Sequence, residues 1–162
     1  MHLSLFIAAL VLAPDTRTIA LAFTRAVVDG RYSDAAHMLD CPDDPAGRVS
    51  TYKVVMVEIQ ELARAFVPRG AGASGQAPSR EETGLKVSAT SGWDKRDQTG
   101  ERNEFVSTNS AHGPCHFVFE FSPRGKLVVV TISVPKDDAL QARFQQALVS
   151  ALQRDAGVKL TH

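Results

Sequence analysis

The sequence contains few of the residues that mark a metal, redox or nucleophilic site. Its 162 residues include only two cysteines, Cys41 and Cys115, and no Cys-x-x-Cys spacing. The Gly-x-Ser-x-Gly nucleophile elbow and the Gly-x-x-x-x-Gly-Lys phosphate loop are also absent. We therefore predict no metal site and no cofactor, and the sequence does not identify a reaction.

The sequence also lacks an excess of either charge. Eighteen Lys and Arg residues balance eighteen Asp and Glu residues. Because basic patches attract nucleic acid and anionic membranes, we expect no nucleic-acid partner. A composition of 44% hydrophobic and 22% charged residues is typical of one soluble globular domain at this length.

Only one long apolar run occurs, at residues 1–13. The run is too short for stable membrane insertion, but its length suits the core of a signal peptide. It therefore predicts export to the periplasm or the cell exterior, with residues 14–162 as a single domain. No Lys or Arg precedes the run, and Pro14 would follow the cleavage site. The alternative is a buried first helix or strand in a cytoplasmic protein.

The two cysteines are interpreted together with export. In an oxidising compartment an even number of cysteines favours a bridge, so export predicts a disulfide between Cys41 and Cys115. The alternative is that both side chains are small apolar members of the core.

Residues 115–134 predict a β-hairpin around which the rest of the chain is arranged. Its first strand alternates between two faces, of which one carries Cys115, Phe117, Phe119 and Phe121 and the other His116, Val118 and Glu120. Ser122-Pro123-Arg124-Gly125 supplies the turn. The predicted register places Phe119 opposite Val129 and Phe117 opposite Thr131. Both faces are partly apolar, so each needs cover.

Four helices are predicted from capping residues and from apolar residues at three- and four-residue spacing. The first begins at Asp15 or Thr16 and ends at Gly30, and the second covers residues 34–39 after a Ser33 cap. The third, residues 50–66, is interpreted as the lid of a sheet. The last begins after Asp137 and ends at Gly157, and we expect it to cover the second face of the hairpin or to form a dimer contact.

Two further strands are predicted at residues 85–89 and at about 102–109, joined by a polar loop around Trp93. Residues 69–83 are rich in glycine, alanine and serine and predict a flexible loop. The order of elements predicts an α+β fold, in which three N-terminal helices pack on a four-stranded antiparallel curved sheet and a C-terminal helix follows.

Two stretches resemble one known superfamily. They are Asp29-Gly30-Arg31-Tyr32-Ser33-Asp34-Ala35-Ala36 and Phe119-Glu120-Phe121-Ser122-Pro123-Arg124-Gly125-Lys126-Leu127-Val128. The pattern over residues 16–134 resembles the nuclear-transport-factor-2-like, cystatin-related superfamily, and most of all its small exported bacterial domains of unknown function. The resemblance implies a bent sheet that wraps a long helix into a cone with a pocket at its mouth. Some members are isomerases, cyclases or dehydratases and many are binding modules, but no catalytic residue carries over to this chain.

Glu120 and His116 are the weak candidates for catalysis. A carboxylate in an apolar pocket could act as a general base. The two residues lie about 13 Å apart along the strand, too far for a direct hydrogen bond. The structural alternative is a solvent-facing Glu120 paired with Lys126 or Arg124.

Tyr32, Tyr52 and Trp93 are the candidates for ligand binding. An aromatic ring with a polar tip suits the mouth of a pocket for a small apolar ligand, although such residues more often belong to the core or its rim.

Three functions remain open from the sequence. The first is a non-enzymatic exported module that binds a protein partner or a small apolar ligand, with a homodimer as a further option. The second is a small lyase or isomerase that uses Glu120 or His116 in an apolar cone. The third is an immunity or inhibitor protein directed against a secreted toxin.

Overall fold

The computed structural model describes residues 15–40, 50–67, 102–110, 113–133 and 137–159. The helices are α1 (Thr16–Val28), α2 (Tyr32–Met38), α3 (Thr51–Phe66) and α4 (Asp138–Asp155), and the strands are β1 (Arg102–Ser110), β2 (Gly113–Phe121) and β3 (Leu127–Ser133). The apolar run 1–13, the loop 69–83, the strand 85–89 and Trp93 lie outside the described residues.

The predicted α+β class is confirmed. Within the described ranges the strands form one antiparallel sheet of three strands, in the order β1-β2-β3, rather than four. Of the helices, α1 makes the main contact with the sheet, at β1 and β2, whereas α2 contacts α1 and α3. The prediction that three N-terminal helices pack on the sheet is therefore correct mainly for α1. Helices α2 and α3 bury much of their apolar surface against other helices.

The core forms where α1 meets the phenylalanine face of β2. Phe117, Phe119 and Phe121 have no exposed surface. The ring of Phe23 on α1 meets Phe119 edge to face, with 5.5 Å between ring centroids. Fully burying an aromatic side chain of this kind contributes about 1.5–3 kcal/mol. The face that alternation assigned to the core is therefore the observed core.

The hairpin register differs from the predicted one beyond the turn. Phe121 pairs with Leu127 as expected, but Phe119 pairs with Val130 and Phe117 with Ile132. The predicted partners Val129 and Thr131 are wrong because Val128 is an extra residue in β3, a β-bulge that shifts the strand by one position. The shift turns Val130 and Ile132 towards the core, where both are partly buried.

Two helices begin at the predicted side-chain caps. Asp15 accepts a hydrogen bond from the Arg17 amide at 2.9 Å, and Asp137 accepts one from the Leu140 amide at 2.9 Å. Ser50 precedes α3 but makes no capping hydrogen bond with its side chain. The second helix begins at Tyr32 and includes Ser33. Ser33 does not cap it, since its hydroxyl bonds to the Tyr52 hydroxyl on α3.

The last helix packs differently from the expectation. The ring of Phe144 on α4 meets Phe66 on α3 edge to face, with 5.6 Å between centroids. The helix therefore lies against α3, on the side of the sheet that carries Val130 and Ile132, and does not cover the other face. His116 and Val118 on that other face are nevertheless buried, as the pattern required.

The predicted Cys41–Cys115 disulfide is not formed in the structure. Cys115 is buried as a thiol, and its Sγ donates to the carbonyl oxygen of Phe66 at 3.4 Å. Its side chain therefore belongs to the contact between β2 and the end of α3. Cys41 lies outside the described residues.

Gly30 ends α1 in the left-handed region, with φ +78°. Its amide bonds to the Val27 carbonyl at 3.1 Å and the Arg31 amide bonds to the Ala26 carbonyl at 2.7 Å, which is the Schellman pattern. We expect Gly30→Ala to lower the free energy of unfolding by about 1–2 kcal/mol in urea denaturation, because a Cβ strains this conformation. The nearest atom to that Cβ would be the Tyr32 hydroxyl oxygen at 3.8 Å, so a clash contributes nothing. Gly30→Asn should lose less, and equal losses would contradict this explanation.

Thr108 on β1 carries a buried hydroxyl that has no hydrogen-bond partner within the described part of the chain. Because an unsatisfied buried hydroxyl is costly, we expect Thr108→Val to raise the free energy of unfolding by about 1 kcal/mol in urea denaturation. Thr24→Val is the matched control, since the Thr24 hydroxyl donates to the Ala20 carbonyl at 2.9 Å and should give no such gain. A destabilised Thr108→Val variant would contradict the assignment.

Candidate binding groove

A groove of about 460 Å³ lies between β3 on one side and α3 and α4 on the other. We call it the β3 groove. Its lining residues are Phe23, Leu39, Val55, Glu58, Ile59, Leu62, Val128, Val129, Val130, Ile132, Phe144 and Leu148. All but one are apolar, and the volume falls in the range of about 300–1,000 Å³ found for small-ligand sites.

Each wall follows from the periodicity of its element. On α3, Val55, Ile59 and Leu62 share one face at i, i+4 and i+7, and on α4 Phe144 and Leu148 share one at i and i+4. These two walls are held together by the ring contact between Phe66 and Phe144.

The remaining wall is the outer strand of the described sheet. The bulge directs Val130 and Ile132 towards the core side and leaves Val128 and Val129 with 39% and 41% of their surface exposed. Leu39 reaches the start of this strand, where the Asp40 amide bonds to the Leu127 carbonyl at 2.8 Å. The groove stays open because α4 rests on α3 instead of on β3.

Glu58 is the one charged side chain among the described residues that line the β3 groove. It remains exposed overall, which places its carboxylate at the open side of the groove. Burial against the apolar wall raises the pKa of the Glu58 carboxyl above its ordinary value. Among the described residues no group hydrogen-bonds to this carboxylate or forms an ion pair with it. One turn further along α3, by contrast, Glu61 accepts from Arg64 at 2.7 Å.

The residues that sequence reasoning proposed for catalysis do not line the β3 groove. His116 is buried, and its Nδ1 lies 3.0 Å from the Ser107 hydroxyl on the neighbouring strand. Glu120 is half-buried and pairs across the sheet with Asn103 and Val129. The two candidates therefore lie on the sheet, outside the lining of the β3 groove.

The tyrosines proposed for ligand binding connect helices. The Tyr52 ring lies 4.2 Å from the His37 ring, and its hydroxyl lies 2.5 Å from the Ser33 hydroxyl, so Tyr52 joins α3 to α2. Tyr32 is half-buried and packs against the core. Neither tyrosine lines the β3 groove.

The described ranges hold no group of three or more His, Cys, Asp or Glu side chains that could bind a metal ion. His112, four residues before His116, lies outside them. None of the four described helices is both long and apolar enough to cross a membrane.

Comparison of the chain with protein-family models, curated proteins and solved structures gives no match in any of the three. The function is therefore inferred from the geometry of the β3 groove.

Sequence reasoning missed Glu58, although a signal for it was present. Glu58 follows Val55 by three residues and precedes Leu62 by four, so it lies within the apolar face of α3. Helical periodicity could not show that Val128 and Val129 line the groove, because their positions depend on the bulge in β3.

We expect Glu58→Gln to raise the melting temperature at neutral pH. A carboxyl whose pKa is higher in the folded than in the unfolded state is destabilising wherever both states are ionised, and it has no effect where both are protonated. The gain over the parent should therefore vanish as the pH falls below the ordinary pKa of 4.5. Thermal unfolding from about pH 3 to about pH 8 measures this. An equal gain at acid pH would contradict it, and Glu61→Gln, which breaks an ion pair, should give no gain.

Proposed function

We propose that this protein is a non-catalytic binding module whose β3 groove takes up a small apolar ligand. The observation that carries the proposal is the open concavity lined by apolar side chains from α3, α4 and β3. Burial of apolar surface is the main source of affinity in such sites, at about 25 cal/mol for each Å² removed from water. A folded chain that leaves these walls uncovered has apolar surface to offer a ligand.

The shape of the apolar surface favours a small ligand over a protein partner. Stable protein interfaces bury more than about 1,000 Å² in total. Among the described residues, the large apolar side chains classed as exposed are Val128, Val129 and Val149, and Val149 does not line the groove. The accessible apolar surface is thus concentrated in a concavity of ligand size.

The alternative of a lyase or isomerase is less well supported by the site. Its candidate residues, Glu120 and His116, are not in the groove lining. The groove's single carboxylate, Glu58, has no described acid, base or nucleophile beside it with which to share a proton transfer. No described feature favours the inhibitor alternative.

Export, with residues 1–13 as a signal peptide, and membership of the nuclear-transport-factor-2-like superfamily stay predictions. Both are compatible with a ligand-binding role. The resemblance implies a pocket at the mouth of a cone formed by a bent sheet and a long helix.

Two neighbouring residues of α4 offer a matched test of the groove. Leu148 lines the groove, whereas Val149, the next residue along the helix, does not. We expect Leu148→Trp to fill part of the groove and weaken binding of dodecanol about tenfold or more in isothermal titration calorimetry. Val149→Trp should leave that binding unchanged. Equal effects of the two substitutions, or no dodecanol binding by the parent protein, would contradict the proposed function.

A further inference from the structure

The β3 groove combines an apolar interior with one acidic group at its open side. Val55 and Leu62 flank Glu58 on the same face of α3, and Phe144 and Leu148 line the wall formed by α4. An occupant of this groove meets apolar side chains along most of its length and a single carboxylate near solvent. This is the arrangement that matches an amphiphile.

We infer that the ligand of the β3 groove is a cationic amphiphile, an apolar body with an amine that is protonated at neutral pH and pairs with Glu58. The inference rests on the proposed function, and it adds the chemical class of the ligand.

The charge of the ligand follows from the surroundings of Glu58. No described residue pairs with its carboxylate, and none of the described residues that line the groove is a cation. A neutral ligand that covered the carboxylate would remove it from water without compensation, which is costly. An anionic ligand would add like-charge repulsion. An ammonium group supplies both the opposite charge and hydrogen-bond donors to the carboxylate oxygens.

The position of Glu58 also sets the orientation of the ligand. Because its side chain is exposed overall while it lines the groove, the ammonium would lie at the open side and keep part of its hydration. The apolar body would then extend between β3 and α4, where no other charged side chain lines the groove.

The test compares three probes that share an alkyl chain and differ in the head group. Dodecylamine, dodecanol and dodecanoate are titrated into the full chain by isothermal calorimetry at neutral pH, below the solubility limit of dodecanol and the critical micelle concentrations of the two ionic probes. We expect dodecylamine to bind about tenfold more tightly than dodecanol, as a partly solvated charge-assisted hydrogen bond allows. Dodecanoate should bind more weakly than either.

Two isosteric variants on α3 separate the specific pair from general electrostatics. Glu58→Gln should bring the affinity for dodecylamine down to that for dodecanol while the affinity for dodecanol stays the same or rises. Glu61→Gln removes the same charge one turn away, from a side chain that pairs with Arg64 and does not line the groove, and it should keep the preference for the amine.

The outcomes distinguish the inference from the proposed function. If dodecanol binds but dodecylamine binds no more tightly, or if the preference survives in Glu58→Gln, the cationic ligand is wrong and the apolar groove stands. If the preference is lost equally in Glu61→Gln, it reflects net charge and the pairing with Glu58 is wrong. If no probe binds, the proposed function fails, and a concentration-dependent dimer in light scattering would then assign the groove to a second copy of this chain.

Discussion

The contact between α1 and the phenylalanine face of β2 is the interaction on which the rest of the structure depends. Phe23 and Phe119 meet edge to face, and Phe117 stacks beside Phe119 with 6.2 Å between centroids. Aromatic pairs of this geometry add about 0.5–1.5 kcal/mol to the effect of burial alone. Once α1 fixes the position of β2, the neighbouring strands β1 and β3 are positioned by their backbone hydrogen bonds to β2. The later helices then pack around α1 and against one another.

The β3 groove is a consequence of how the remaining apolar surface is shared. Helix α3 contacts α2 near its beginning through Tyr52 and contacts α4 near its end through Phe66. Because Phe144 of α4 packs against Phe66 of α3, α4 lies against α3 and does not cover β3. The space left between them is lined by side chains of the kind that usually fills a core, and this is why we propose it as a binding site.

In the proposed function, Glu58 is a position where binding conflicts with stability. Burial on the apolar face of α3 raises the pKa of its carboxyl, and among the described residues no partner compensates for that burial. Glu61, on the same helix, is also removed from water but has Arg64 beside it. Titratable groups whose burial destabilises the folded state occur more often in binding sites than elsewhere in a protein.

Local patterns in the sequence determined most of the described elements and the ends of α1 and α4. Alternation identified the buried face of β2. The caps at Asp15 and Asp137 depend on short-range hydrogen bonds, and the stop at Gly30 depends on the freedom of a residue without a Cβ. The bulge at Val128, the contact of α4 with α3 and the thiol of Cys115 against Phe66 were decided by the tertiary structure. Each depends on which apolar surfaces compete for the same partner, and that competition involves residues far apart in the chain. The β3 groove lies where this competition leaves apolar side chains of β3, α3 and α4 without a partner element. The sequence places Glu58 within the apolar stripe of α3, but only the fold shows that this stripe faces the groove.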